Sequence, residues 1–447
     1  MKLLTLCALG ALTLNVGLAH CQAQATPTAP APTPVKAPLT RAVFDTTWNT
    51  LHDKGDWVGL RQLGRDWEAE HPADPAALFT QGLASYMMGD LDSTISLYEK
   101  LLAMKPEGAD YYAGTLKITR AVKAKFPDLK LQPLQFKTGD VALEEAQWRQ
   151  KGADLLEAKN YDEIEKIAAQ LQKSNESDAK GVPHLSAFFD GLSKSEDFGA
   201  LKSRIAAWRA ARPKSDLARL ASLAMWTDQA WRVRGDGLAS AVSPDIEARM
   251  SDATERAGET LKALPQSAFD SPLAYQAALD WGRVSGTDRE ALDELFEGGT
   301  AKFPDYLPLY TERARHLLPR WMGEPGEWET MAKKRADQIG GYEGDVFYAR
   351  IVWNLTQSFA GLSAESRFDT DRVQRGLETL QKQFPDSISV ASARLNTASE
   401  AQNWKAMQQI LASPQGFILD QDWSGWSTPR NQAIFAELRM GILGGAI

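Results

Sequence analysis

The side chains most often used for metal or nucleophile chemistry are few: five histidines and two cysteines in 447 residues. His52, His71, His184 and His316 stand too far apart for any two to share a helix face, so no zinc signature is present and no metal ligand is assigned. Ser177-Asp178-Ala179-Lys180 matches the Ser-x-x-Lys string of penicillin-recognising enzymes. That chemistry needs its serine at the start of a buried helix with further partners in space, whereas this string lies in the polar stretch Lys173 to Gly181 and reads as chance. There is no Gly-x-Ser-x-Gly elbow and no Gly-x-x-x-x-Gly-Lys phosphate loop. Carboxylate neighbours such as Glu144 and Glu145, or Asp288 and Glu290, are ordinary on an acidic surface. No catalytic residue and no cofactor follow from these residues.

Fourteen tryptophans are the unusual feature. Large rings at helix spacings, such as Trp226 and Trp231, fill space between helices, and most are expected to be core. A few on a concave face can stack on a ligand, and Trp423-Ser424-Gly425-Trp426 lies in a loop where exposure is expected. Arginines beside such rings offer a fork for carboxylates. Arg234, Arg320, Trp321, Trp328 and Arg350 are therefore the candidate binding residues. For Arg320 the structural alternative is a cap on the carbonyls of the preceding helix.

These residues need elements to hold them. From Asp74 the punctuation is helical: Asp74 caps, Pro75 fits the first position, and Leu78, Gly82, Leu83 and Tyr86 share a face. Gly89-Asp90 ends that helix, and Ile95, Tyr98 and Leu102 mark the next, which stops at Lys105-Pro106. With small Gly82 opposite aromatic Tyr98, and 34 residues from Pro72 to Pro106, the pair is similar to a tetratricopeptide repeat. Phe126-Pro127-Asp128, Phe303-Pro304-Asp305 and Phe384-Pro385-Asp386 each end an amphipathic stretch, with Pro stopping one helix and Asp expected to cap the next. Further hairpins are expected at about 142–173, 217–264, 271–303, 307–339, 345–384 and 388–411, with a connector at 129–141. The fold class is all-α, a tetratricopeptide-like solenoid of helical hairpins. Each hairpin has an apolar face it cannot bury alone, so neighbours stack and leave a concave side.

Leu318-Pro319-Arg320-Trp321-Met322-Gly323-Glu324-Pro325-Gly326-Glu327-Trp328 resembles a bacterial family that carries a domain of unknown function built on tetratricopeptide-like hairpins. The likeness extends to Trp231 to Gly237, Phe303 to Tyr306, Gly340 to Asp345 and Tyr348 to Ile351, over roughly 186–412. The resemblance implies a helical fold and export in bacteria, and no activity. In this reading Pro325 opens a helix, with Glu324 and Glu327 near its positive end.

Lys2, the uncharged run Leu3 to Ala19 and the Ala-x-Ala site at Ala23 to Ala25 read as a signal peptide cleaved after Ala25. The run is too short and polar for a spanning helix, so the mature chain is expected to have none. Both cysteines, Cys7 and Cys21, precede the cut. Leu18 to Cys21 also resembles a lipobox, although His20 stands where a small residue is needed; lipid anchoring at Cys21 is the alternative. The organisation expected is a signal peptide at 1–25, a Pro/Ala/Thr-rich linker at 26–40, N-terminal hairpins at 41–138, a hairpin domain at 139–430 and a tail at 431–447. A net charge of -8 argues against nucleic acid. The function expected is a periplasmic or secreted protein that binds a polypeptide in its concave groove. The alternative is an envelope protein that binds or cleaves glycans through paired carboxylates and aromatic stacking.

Overall fold

The computed structural model describes residues 38–235, 243–358, 362, 366–420 and 429–445. The signal peptide, Cys21, most of the linker, Asp236-Gly237 and the Trp423 to Trp426 loop lie outside the described residues. The N-terminal group is α1 Arg41–Asp53, α2 Trp57–Glu70, α3 Pro75–Met87, α4 Leu91–Ala103 and α5 Ala109–Lys125, followed by strand β1 Gln135–Lys137. Then come α6 Asp140–Glu157, α7 Tyr161–Ser174, α8 His184–Ser193, α9 Phe198–Ala211, α10 Asp216–Arg234, α11 Pro244–Lys262, α12 Pro272–Ser285 and α13 Arg289–Lys302. The chain continues through α14 Leu307–His316, α15 Glu327–Ile339, α16 Gly341–Ser358, α17 Thr370–Gln383, α18 Ile388–Glu400 and α19 Trp404–Leu411 to β2 Ile418–Asp420 and α20 Pro429–Gly444. The chain is all-α, as the hairpin pattern requires. Among the described residues no helix is long and apolar enough to cross a membrane.

Two kinds of turn repeat. Where an inner helix passes to an outer one, a residue at positive φ reverses the chain: Gly89, Lys159, Gly286 and Gln402. Where an outer helix ends, a residue before proline closes it. Phe126, Phe303 and Phe384 adopt nearly the same conformation, with φ between -131° and -124° and ψ of 65–70°. Each donates its N–H to the carbonyl four residues back, and the proline stops further winding. His71 and Arg212, also before prolines, do likewise. The aspartates after these prolines do not cap the next helix. Ser387 caps α18, and Asp305 instead pairs with Arg335 at 3.2 Å. Gly82 is needed for packing, since a Cβ there would lie 2.8 Å from the Tyr98 ring.

From α6 onward the even-numbered helices form an inner layer, α6, α8, α10, α12, α14, α16 and α18, in which each packs on the next. The odd-numbered helices α7 to α19 cover them from outside. The circuit closes, because α18 also packs against α6. The long core runs from Val141 of α6 and Ala179 through Tyr275 to Ala393 and takes in Trp328, Tyr348 and Trp353, while a second core joins α6 to α12 around Phe188 and Trp208.

The segment read as a tail falls in α20, which packs on α5 and α3. Phe435, Met440, Ile442 and Leu443 share one core with Leu60, Leu83 and Val122 of the N-terminal group and with Leu395 and Leu419. The N-terminal helical group and α20 therefore bury each other. The connector carries the seam: β1 pairs in parallel with β2, Phe136 opposite Leu419. Next to it Asp140 accepts from Ser387 Oγ at 2.7 Å and from the Ser389 N–H at 2.9 Å. Asp420 accepts from the Gly139 N–H at 3.1 Å and from Ser389 Oγ at 3.0 Å, while its own N–H donates to Ser392 Oγ at 2.8 Å. A Cβ at Gly139 would lie 1.9 Å from Asp420 Oδ2 and 2.2 Å from Ser389 Oγ, so only glycine fits.

Gly139→Ala should therefore destabilise the fold by about 2–4 kcal/mol in urea denaturation. Gly114→Ala, where a Cβ meets nothing within 4 Å inside α5, should stabilise it by about 0.5–1 kcal/mol. Similar effects from both substitutions would show that the seam is not tightly packed.

Candidate functional site

The inner helices repeat an acid followed three or four residues later by a base, a spacing that puts both on one helix face. Glu145 pairs with Arg149 on α6, Asp190 with Lys194 at the end of α8 (2.9 Å), and Asp228 with Arg232 on α10 (2.6 Å). Asp280 pairs with Arg283 on α12 (2.9 Å) and Glu312 with Arg315 on α14. Rungs link to their neighbours: Arg283 lies 3.8 Å from Glu312, and Arg315 donates to Ser358 of α16 at 3.3 Å. Burial pushes Lys194 down, but Asp190, Asp280 and Asp228 outweigh it and hold the ammonium above its usual range.

At the C-terminal end of this ladder an aromatic and guanidinium cluster is built from three elements. Trp231 of α10 meets Trp321, from the loop after α14, edge to face at 5.5 Å. Trp231 Nε1 donates to Asp280 Oδ1 at 3.0 Å, and Arg283 Nη2 donates to the same oxygen at 2.9 Å. The Arg283 guanidinium lies 4.3 Å from the Trp231 ring centre and 5.4 Å from that of Trp321. Arg234 lies 5.7 Å and 5.2 Å from the same two rings. Such cation–π contacts orient both partners before anything binds. Both indoles are half-buried. Buried Trp321 Nε1 and Arg283 Nε have no acceptor among the described residues.

The five sequence candidates thus separate. Arg234 and Trp321 converge, and Trp231, Arg283 and Asp280 join them. Arg320 is exposed on the adjoining loop. Capping of α14 falls to backbone: the Met322 N–H donates to the His316 carbonyl, and a Cβ at Gly323 would sit 2.0 Å from the Leu317 carbonyl oxygen, so that position must be glycine. Pro325 does not open α15, which starts at Glu327 after Gly326 at φ 90°. Trp328 is a core residue, fully buried, with Nε1 donating to Ser366 Oγ at 2.9 Å. Of the described tryptophans, Trp67, Trp208, Trp328 and Trp353 are buried and Trp404 is exposed. The others are half-buried, fewer fully enclosed than the expectation that most are core.

Arg350 binds the protein itself. The polar stretch between α7 and α8 is a tight turn bridged between Ser177 and Pro183 that reaches across to α14 and α16. Arg350 Nε donates to the Ala179 carbonyl at 3.1 Å and Asn354 to that of Lys180 at 3.3 Å. Burial lowers both Arg350 and Lys180. Ser177 therefore lies in a turn and not at the start of a buried helix. Asp178, 3% exposed, accepts from the Val182 N–H at 2.9 Å through Oδ1, while Oδ2 has no donor among the described residues. Burial, reinforced by Glu145 and Glu144, raises its pKa to about 7 against the pull of Lys180. His316, also buried, is pushed down to about 3 by burial beside Arg283 and Arg313 and stays neutral. Among the described residues no group of three or more His, Cys, Asp or Glu side chains is placed to hold a metal ion.

Fold and site together define a helical-repeat protein with a polar, aromatic-edged inner face. The profile of a domain of unknown function (DUF4034) matches residues 149–278. This span runs from late α6 into α12; it contains Trp231, Arg234 and Asp228 but not the Leu318 to Trp328 stretch. No curated protein matches the chain. Among solved structures, the crystal structure of the yeast Tom70 shares 14% identity at a TM-score of 0.26, covering 89% of this chain and 88% of that one.

The raised Asp178 carboxyl gives a pH dependence of definite sign. Folding binds a proton more tightly than the unfolded chain does, so this contribution is complete below pH 3.8 and lost as pH rises through about 7. Asp178→Asn should remove the loss, stabilising the protein at pH 8 by on the order of 2–4 kcal/mol relative to wild type and at pH 5, where only part of the loss has accrued, by about 1–2 kcal/mol. Equal effects at both pH values, read from urea midpoints, would contradict the assignment.

Proposed function

We propose that the chain is an exported binding protein that holds a polypeptide segment against its inner face, gripped by Trp231, Trp321, Arg234 and Arg283. The observation that carries this reading is the cluster itself. Two half-buried indoles and two guanidiniums from separate elements are already stacked, so a ligand need not order them. Their unmet N–H groups suit the carbonyls or a carboxylate of an extended peptide, and the indole faces suit its apolar side chains. The charge ladder beyond the cluster extends the contact with polar groups. The expected signal sequence supports action in the periplasm or outside the cell, with Cys21 lipidation as the variant. The family match assigns no activity. The glycan reading needs a protonated acid facing a free carboxylate in an aromatic cleft. The inner-face acids Glu145, Asp190, Asp228, Asp280 and Glu312 are instead ion-paired.

Site-specific photo-crosslinking in envelope preparations tests this. A crosslinking residue at Arg234 or Arg320 should capture a discrete protein, and one at Arg249, exposed on α11, should not. Trp321→Ala should weaken the captured complex about tenfold or more. Equal labelling from all three positions, or binding indifferent to Trp321→Ala, would remove the cluster as the site.

A further inference from the structure

On the outer side, α13 and α15 leave a groove of about 800 Å³ between them, floored by Tyr310, Arg313 and Leu317 of α14 and its end. Its size is that of a site for a small organic ligand. Phe296, Leu317 and Met331 supply apolar walls, and the Tyr310 ring packs edge to face on Phe296 at 5.5 Å. The polar groups are mostly engaged. Arg289 forks onto Glu327 at 2.8 and 3.1 Å across one end, which holds the Glu327 carboxyl below its usual range. Tyr310 Oη donates to the Pro304 carbonyl at 2.9 Å, and Arg335 donates to Pro304 and Asp305.

Two exceptions are arginines: Arg335 Nε has no acceptor among the described residues, and Arg313 is the more deeply buried case. Only 1% exposed, Arg313 spends Nη2 on Asp293 and leaves Nη1 with no acceptor among the described residues, on a side chain that lines the groove. A buried charged donor left unmet is costly, so an acceptor brought by a ligand recovers the loss. At the rim Lys334 is exposed and makes no ion pair with a described residue. Glu297 is the one lining acid that neither arginine engages, and it too is exposed at the rim.

We propose that this groove is a second site, independent of the inner face, that takes a small organic carboxylate with an apolar or aromatic body. The carboxylate meets Arg313 Nη1, the body lies against Phe296, Leu317 and Met331, and Lys334 adds charge at the mouth. An anionic head without a body leaves the walls wet, and a neutral body leaves Arg313 unmet.

The full chain, titrated with decanoate and N-acetylphenylalanine and with their uncharged amides, decides the matter by calorimetry and by the Met331 methyl NMR signal. The acids should bind with Kd near or below about 1 mM and the amides about tenfold more weakly or less. Arg313→Met should erase that preference. Because Arg313 is buried and its loss can unfold the domain, Ala301→Trp provides a second variant: Ala301 is exposed on the groove wall, and the indole should fill the space and abolish binding while leaving Arg313 alone. Trp321→Ala at the inner face should change nothing, which separates failure here from failure of the peptide site. Equal binding of acids and amides, no binding of either acid, or binding that survives Ala301→Trp would overturn the proposal. So would binding confined to acetyl-Gly-Phe-Glu-Gly-amide, which would make the groove a peptide surface.

Discussion

A stack of hairpins has two raw ends, and here they are fastened to each other through two aspartates. Asp140 at the start of the inner layer takes donors from Ser387 and Ser389 near its finish, and Asp420 takes donors from Gly139 and Ser389. Both carboxylates accept hydrogen bonds from donors that segments distant in sequence supply, so those bonds form only when the segments meet. A buried carboxylate without those donors is expensive. The parallel β1 and β2 pair and the core shared by Leu60, Val122, Leu419 and Phe435 cover this polar seam from the N-terminal side.

Closure determines what the inner face can be. An open solenoid can flex along its length because each repeat touches only its neighbours. With α6 held to α18, the inner helices form a circuit of fixed curvature, and the turn at Asp178 to Val182, between α7 and α8, reaches across to α14 and α16. Acid and base pairs on successive helices then face a common space, and Trp321 of the α14–α15 loop is held against Trp231 of α10. The cluster is a product of curvature as much as of local sequence.

The hairpins were legible where proline, glycine and a capping side chain punctuate the chain. The pairs α3–α4, α6–α7, α10–α11, α12–α13, α14–α15, α16–α17 and α18–α19 fall where periodicity and turns put them. The α8–α9 hairpin was not read, because α8 has Pro183 but no capping side-chain bond and is only ten residues long. The seam was invisible, since Gly139 and Asp420 stand 281 positions apart and three-residue strands leave no pattern. Of the site, Arg234 and Trp321 could be found from aromatic and arginine neighbours at helix ends. Trp231 and Arg283 needed the packing of α10 on α12, and Trp328 and Arg350 carry the same residue types but spend Nε1 on Ser366 and Nε on the Ala179 carbonyl. Residue type alone cannot distinguish a stacked arginine on a rim from one that holds a turn.

Native-state hydrogen exchange tests closure most directly, on the amides of Gly139, Ser389 and Asp420 compared with those in the middle of α12 and α14. If the ends hold each other, the three seam amides exchange only through the same global opening that exposes the inner helices, with the same free energy and denaturant dependence. Exchange at the seam through a low-energy, denaturant-independent opening, while α12 and α14 remain protected, would mean that the array stands without its fastening and that its curvature has another cause.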